Sequence, residues 1–256
     1  MLCRSAAWWH KGAMIEHFTL PSGERMAYRF QPGAGPVFVF LPGYMSDMAG
    51  GKAQAVMAWA QAEGRACLLL DYTGCGQSEG VFAEKTLTLW RNEVIALLDG
   101  LGIGRAVLCG SSMGGWLMLL LAEALAARAA ALVGLAPAPD FTDWGYDDEQ
   151  KALLARGETL LQTNPYGPEP TPTYAKFWAE GQRSLLLARE IAFDGPVRLI
   201  HGRADPDVPW EVSIKLAAAL RSADVQVLLI KDGDHRLSRP ADIALLLGTL
   251  AALGEA

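Results

Sequence analysis

Residues 106–121 read AVLCGSSMGGWLMLLL: an apolar run of strand length, a cluster of small residues, and an apolar run suited to a helix. Where a strand feeds straight into a helix the two backbones almost touch, so the crossing tolerates no bulk. The pattern Gly, any, Ser, any, Gly fits Gly110, Ser112 and Gly114. It puts Ser112 at the tip of the turn, with Oγ raised over the sheet and the following N–H groups, at a helix start, facing a developing oxyanion. Ser111 is out of frame, because its flanking positions are Cys109 and Met113. Alone the pentapeptide is a weak signal, since a plain strand-to-helix turn also uses small residues; its setting between strand and helix gives it weight.

Outward from this point strands and helices alternate. EHFTL (16–20) and RMAYRF (25–30), split by PSGE, predict a hairpin. VFVFL (37–41), ACLLLDY (66–72), AVLCG (106–110), AALVGLA (130–136), VRLIHG (197–202) and VQVLLIK (225–231) predict further strands. Helical patterning covers 52–63, 87–100, 113–128, 210–222 and 240–253. The expectation is an α/β fold: a mostly parallel sheet of about eight strands with helices on both faces, whose ligands bind beyond the carboxyl ends of the strands.

Residues 137–195 break the rhythm. No strand is predicted there, and one helix is expected from about Tyr174 to Ile191, after the Pro-rich NPYGPEPTPTY. The stretch is too long for a plain connection and is read as a small helical lid inserted into one domain spanning residues 14–256. Its aromatics, Phe141, Trp144, Tyr146, Tyr166, Tyr174, Phe177 and Trp178, either line an apolar pocket or pack the lid onto the sheet.

Composition narrows the functions. The 256 residues are 51% hydrophobic and carry a net charge of -6 with both signs interspersed, so no basic face is offered to nucleic acid. Cys3, Cys67, Cys75 and Cys109 lack paired zinc-site spacings and read as reduced thiols; Cys75, between two glycines in a loop, is in a place that allows access, but a structural or incidental role is favoured for it over a reactive one. His10 and Lys11 interrupt the N-terminal apolar stretch before a signal-peptide core forms, and Met14 is a candidate start that leaves residues 1–13 as an extension. The expected location is the cytoplasm, or the mitochondrion in a eukaryote, given the acid-free leader. Gly, Arg or Glu breaks every apolar run short of membrane-spanning length, so no stable membrane insertion is expected.

A serine hydroxyl needs a base, and the base an orienting acid. Of the four histidines, His10 and His17 precede the sheet and His201 ends a strand, where a structural role is expected. His235, in KDGDHRLSRP just past the last strand, opens at the same sheet edge as Ser112 and is the candidate base. The acid is sought in HGRADPDVPW. Asp205 is favoured on its spacing from Gly202 and from Val208–Pro209, with Asp207 read as a solvent or helix-capping residue. Asp234, adjacent to His235, is poorly placed to orient it. Gly43 in FLPGYMSDM allows a tight turn from which the Tyr44 N–H would join that of Met113 in an oxyanion hole. Trp116 reads as core.

LPGYMSDMAGGKA, DYTGCGQSEG, GSSMGGWLML, PVRLIHGRADPDVPW and DHRLSRPADIALL resemble the α/β-hydrolase branch that holds the animal mitochondrial acyl-protein thioesterase, also described as an acyl-glucuronide esterase, and its bacterial relatives. The resemblance runs over roughly residues 25–250. It implies an α/β-hydrolase fold, Ser112 as nucleophile, Asp205 as acid and His235 as base, and hydrolysis of acyl thioesters or esters under an acyl-covering lid. The expected partner is a small or acylated substrate with an apolar acyl group. No cofactor or metal is expected, and DYTGCGQSEG lacks the lysine of a nucleotide loop. C–C bond hydrolysis or perhydrolysis on the same triad, and a non-catalytic binding protein of this fold, are the alternatives.

Overall fold

The computed structural model describes residues 14–164 and 167–253. The expected extension at 1–13, with Cys3 and His10, and the lid residue Tyr166 lie outside them.

The elements run β1 (Glu16–Thr19), β2 (Arg25–Gln31), β3 (Ala34–Leu41), α1 (Gly51–Ala62), β4 (Arg65–Leu70), α2 (Leu87–Gly100), β5 (Ala106–Ser111), α3 (Met113–Leu125), β6 (Ala129–Leu135), α4 (Phe141–Trp144), α5 (Asp148–Ala155), β7 (Leu160–Gln162), β8 (Thr171–Thr173), α6 (Ala175–Gly181), β9 (Val197–Gly202), α7 (Glu211–Ala219), β10 (Val225–Ile230) and α8 (Pro240–Leu253). All eight expected strands join one sheet in the order β1-β2-β4-β3-β5-β6-β9-β10. β1 and β2 form the expected antiparallel hairpin, β2 runs antiparallel to β4, and the remaining pairs are parallel.

The central strands are apolar on both faces because both are covered. Val37, Val39, Leu41, Leu68, Leu70 and Leu108 face a core shared with α2, α3 and α7. Phe38, Phe40, Cys67, Leu69, Val107 and Cys109 face a second core under α1 and α8. From β3 the chain passes first to β4 on one side and then to β5 on the other. That reversal leaves a crevice beyond the carboxyl ends of β3 and β5, where the loop carrying Tyr44 meets the turn carrying Ser112.

Residues 137–195 differ from the expectation in three ways. They hold a two-stranded ribbon, β7 with β8, where no strand was expected. They also hold α4 and α5, the latter closed by a capping box in which Asp147 accepts from the Gln150 N–H. The helix expected from about Tyr174 to Ile191 stops at Gly181. Its apolar continuation is drawn out of helix because the buried Asp140 carboxylate accepts the backbone N–H groups of Leu186 (2.8 Å) and Leu187 (2.8 Å). A local helix pattern loses to a charged acceptor that binds two main-chain donors at once.

Cys75 takes the structural place favoured for it rather than an accessible one. It is buried beside Tyr72, and burial, with Asp71 and Asp47 nearby, pushes its thiol up to about 12. Asp71 holds this loop by accepting the N–H groups of Met48 (2.7 Å) and Gln77 (2.8 Å).

Asp140→Ala strands the Leu186 and Leu187 donors, so we expect a loss of about 2–3 kcal/mol in urea unfolding. Asp140→Asn, which keeps one acceptor oxygen, should lose less. Equal stability of all three proteins would show that the carboxylate does not hold this segment.

Candidate active site

The strand-to-helix turn puts Ser112 at φ 55° and ψ -122°. An L residue adopts such a backbone only where its surroundings enforce it. Here the Ser112 N–H donates to Leu135 O (2.9 Å), and its carbonyl accepts from Gly115 (2.8 Å) and Ala138 (3.0 Å). The flanking glycines are required by space: a Cβ on Gly110 would lie 2.3 Å from the Gly114 oxygen, and one on Gly114 would lie 2.1 Å from the Leu41 oxygen.

Two further loops converge on this turn. His235, after β10, lies with Nε2 3.1 Å from Ser112 Oγ and Nδ1 2.8 Å from Asp205 Oδ2. Asp205, after β9, accepts on Oδ1 the N–H groups of Asp207 (2.8 Å) and Val208 (2.9 Å). Burial pushes the Asp205 carboxyl up, but hydrogen bonds from His201 and His235, the charge of His235 and the Val208 N–H together hold it well below the usual carboxylate range. An ionised Asp205 can only accept, so His235 donates from Nδ1, and in the neutral ring Nε2 is left as acceptor for the serine hydroxyl.

The structure thus brings Ser112, His235 and Asp205 into one hydrogen-bonded chain. Tyr44 and Met113 join Ser112 and His235 at the wall of a cavity of about 650 Å³. The loop after β3 reaches this position through Gly43, whose Cβ position would be 3.4 Å from Ser112 Cβ. The Tyr44 hydroxyl is already committed, donating to Pro172 O (3.0 Å), and its ring meets Phe82, Phe141 and Phe177.

The other candidates separate cleanly. Asp207 is exposed, and it does not cap α7, whose N-cap position is Trp210. Asp234 accepts the Leu237 N–H (3.0 Å) and so shapes the turn after His235. Trp116 is buried and donates to Ser184 O (3.2 Å), as a core residue does. His17 sits on the remote hairpin near Gln77. His201, read as structural at a strand end, is fully buried at the end of β9 and puts Nε2 3.2 Å from Asp205 Oδ2, a contact the sequence reading did not foresee. Only the turn of the chain between positions 201 and 205 brings them together, and nothing in HGRAD announces it.

Of the aromatics in 137–195, Phe141, Trp144 and Tyr146 line the large cavity. Phe177 is buried against Trp90, and Trp178 donates its ring N–H to Thr142 O (2.9 Å), so these pack the segment in place. A second cavity of about 310 Å³ also borders Ser112 and His235, with Ser46, Asp47, Lys52, Arg236 and Ser238 in its wall. Lys52 Nζ donates to the Arg236 carbonyl there, and burial lowers its pKa. Asp205, Asp207 and His235 offer ligand atoms within 4.8 Å of one another, enough to hold a metal ion. Both Asp205 oxygens and both His235 ring nitrogens already make the bonds described, so a cation would have to break them.

Residues 38–244 match the Alpha/beta hydrolase family. The chain belongs to the α/β hydrolase family. An α/β hydrolase of Mus musculus, "Palmitoyl-protein thioesterase ABHD10, mitochondrial", is 38% identical over 254 residues, covering 95% of this chain and 85% of its own. The solved structure of mouse alpha/beta hydrolase domain-containing protein 10 superposes with a TM-score of 0.87 at 36% identity, over 94% of this chain and 98% of that one. A putative hydrolase from Agrobacterium vitis S4 gives 0.89 at 34% identity, over 95% and 100%. The expected fold and family are therefore both found, and no helix of this α/β hydrolase among the described residues is long and apolar enough to cross a membrane.

A carboxyl whose folded pKa is depressed adds stability that is complete above its unfolded value, about 3.9, and is lost as pH falls through the folded one. Wild type should therefore be more stable than Asp205→Asn at pH 7, with the gap closing below about pH 4. A gap that stays constant in urea unfolding from pH 7 to pH 2.5 would show that Asp205 is not held ionised.

Proposed function

We propose that this α/β hydrolase is a serine hydrolase that cleaves acyl thioesters or carboxylic esters through an acyl-enzyme. The observation that carries the reading is the continuous relay from Asp205 through His235 to Ser112, with contacts of 2.8 and 3.1 Å. Each member has the chemistry of its place: a buried ionised acid, an imidazole whose tautomer that acid sets, and a hydroxyl held at a strained turn.

His235 Nε2 takes the proton of Ser112 as Oγ attacks the acyl carbonyl. The Tyr44 and Met113 N–H groups receive the negative charge that develops on the carbonyl oxygen. His235 then gives its proton to the departing thiol or alcohol, and the same nitrogen activates water to release the acid and regenerate Ser112. The scheme uses only protein groups and water.

The two cavities divide the substrate. Phe141, Trp144 and Tyr146 suit the large one to an apolar acyl chain, with residues 137–195 serving as its lid. The smaller one, with Lys52, Ser46 and Ser238 at its walls, suits a polar leaving group. The name of the mouse relative favours a thioester of a long acyl chain, and an acylated protein as substrate. Residence in the cytoplasm or the mitochondrion accompanies this reading, in keeping with the free, buried Cys67, Cys75 and Cys109.

Hydrolysis of a series of acyl thioesters and p-nitrophenyl esters tests it. Ser112→Ala should lower kcat by about 10³-fold or more and abolish labelling by a fluorophosphonate. Turnover or labelling unchanged in that variant would sink the assignment. Trp144→Ala, which lengthens the acyl cavity, should move the chain-length optimum toward longer acyl groups; an unmoved optimum would place the acyl chain elsewhere.

A further inference from the structure

We propose that His201 is a positioning residue for the Asp205 carboxylate, holding with its Nε2–H the same oxygen that His235 uses. The inference rests on the hydrolase reading above and extends it to a residue that touches neither substrate nor Ser112.

The ring of His201 is fully buried, with Nδ1 2.7 Å from Ser213 Oγ on α7, and Nε2 3.1 Å from Val208 O and 3.2 Å from Asp205 Oδ2. Both neighbours of Nε2 are acceptors only, a carbonyl and an ionised carboxylate. Nε2 therefore carries a hydrogen whatever the charge of the ring, and in the neutral ring the Ser213 hydroxyl donates to Nδ1. Ser213 is itself fully buried, so its hydroxyl has few other partners to choose from.

Four N–H groups consequently surround the Asp205 carboxylate: Asp207 and Val208 donate to Oδ1, His235 donates to Oδ2, and His201 Nε2 lies 3.2 Å from the same Oδ2. Val208 closes the arrangement, giving its N–H to Asp205 and taking the His201 proton on its carbonyl. Mere packing at a strand end is met by an apolar ring, at no cost in buried polar groups. A histidine whose Nε2–H is shared between the Val208 carbonyl and the acid of the relay has two consequences. It fixes the rotation of the carboxylate so that Oδ2 stays on the His235 Nδ1 axis. It also draws off part of the charge on that oxygen, so that His235, once protonated, is held less tightly and passes its proton on to the leaving group. Among the described residues, the charged groups that bear on this cluster include Asp205 and His235 within it, the exposed Asp207 carboxylate within 4.8 Å of both, and Lys52 beyond, whose ammonium feels the charges of Asp205, Asp234 and Arg236.

Two variants separate positioning from packing. His201→Phe keeps the ring volume and removes the donor; His201→Gln places an amide N–H near the Nε2 position. With a short-chain acyl thioester, His201→Phe should lower kcat by about 10- to 100-fold while KM moves less than about threefold, in the range seen when partners that orient a reactive group are removed. The acid limb of its kcat/KM profile should move to higher pH, because an Asp205 relieved of one donor holds the His235 proton more tightly. His201→Gln should restore most of the rate and return the limb. A folded His201→Phe with wild-type kcat and pH profile overturns the proposal, as does an equal loss in both variants with the limb unmoved. Should the Phe variant fail to fold, ¹⁵N-histidine NMR of the wild-type protein and of Asp205→Asn decides. A His201 Nε2–H resonance that shifts in Asp205→Asn supports the bond, and a ring protonated at Nδ1 alone, or an Nε2–H unmoved by Asp205→Asn, overturns it. Turnover that depends on Ser112 but not on His201 removes the positioning role only; no turnover in the wild type removes both readings.

Discussion

The crossing of β5 onto α3 governs the site. With Gly110 against the Gly114 carbonyl and Gly114 against the Leu41 carbonyl, three backbones meet at distances that exclude any side chain. The one residue between them that carries chemistry, Ser112, is driven to a positive φ. Its strain is held by the Leu135 carbonyl on one side and by the N–H groups of Gly115 and Ala138 on the other. The same closeness brings the end of β3 beside Ser112, so the position of the Tyr44 backbone is a consequence of the crossing rather than a separate feature. Large cores on both sheet faces make such a local cost tolerable.

Around that turn the sheet edge concentrates charge that it must also neutralise. Asp205 has no exposed side-chain surface, and an ionised carboxylate in such a place is stable only if its oxygens are hydrogen-bonded. Two of its donors come from its own loop and one from His235, and His201 on a different segment brings Nε2 to 3.2 Å from Oδ2. The loop bonds cost little to form, since residues 205–208 need only turn once. The histidine bonds depend on β9 and β10 lying side by side in register, with His201 opposite Leu229. Strand pairing, loop conformation and ionisation state at this edge are therefore one problem with one solution.

Much of this was legible in the sequence, for a reason that can be named. The central strands are short apolar runs between Gly- and Pro-marked turns, and α2 coincides with its expected span because Thr86 supplies the N-cap signal and Gly100 ends the run. Ser112, His235 and Asp205 stood out because each lies in the loop after a strand at the same sheet edge, a position that strand order alone fixes. What failed to show was whatever depends on one side chain answering a distant backbone. Asp140 unwinds the continuation of α6 from 46 positions away in sequence, and no local pattern around Leu186 carries that information. The ribbon of β7 and β8 pairs three residues with three, too short for strand periodicity to register. Two flanking glycines left access to Cys75 open in the sequence, and the loop closes it off on the Asp71 carboxylate.

His201 belongs to the same class of hidden residue, and its case sharpens the distinction between a structural and a functional histidine. At the end of a strand, buried and four residues before an acid, it satisfies every criterion for a structural role. Yet a buried imidazole is an expensive filler, and here its two nitrogens are satisfied by groups that define the acid loop and α7. The same bonds that make it structural make it a determinant of where Asp205 points. In a relay whose contacts span 2.8 and 3.1 Å, an acid free to rotate is an acid that spends time off axis, so holding it still and holding the fold together are the same act.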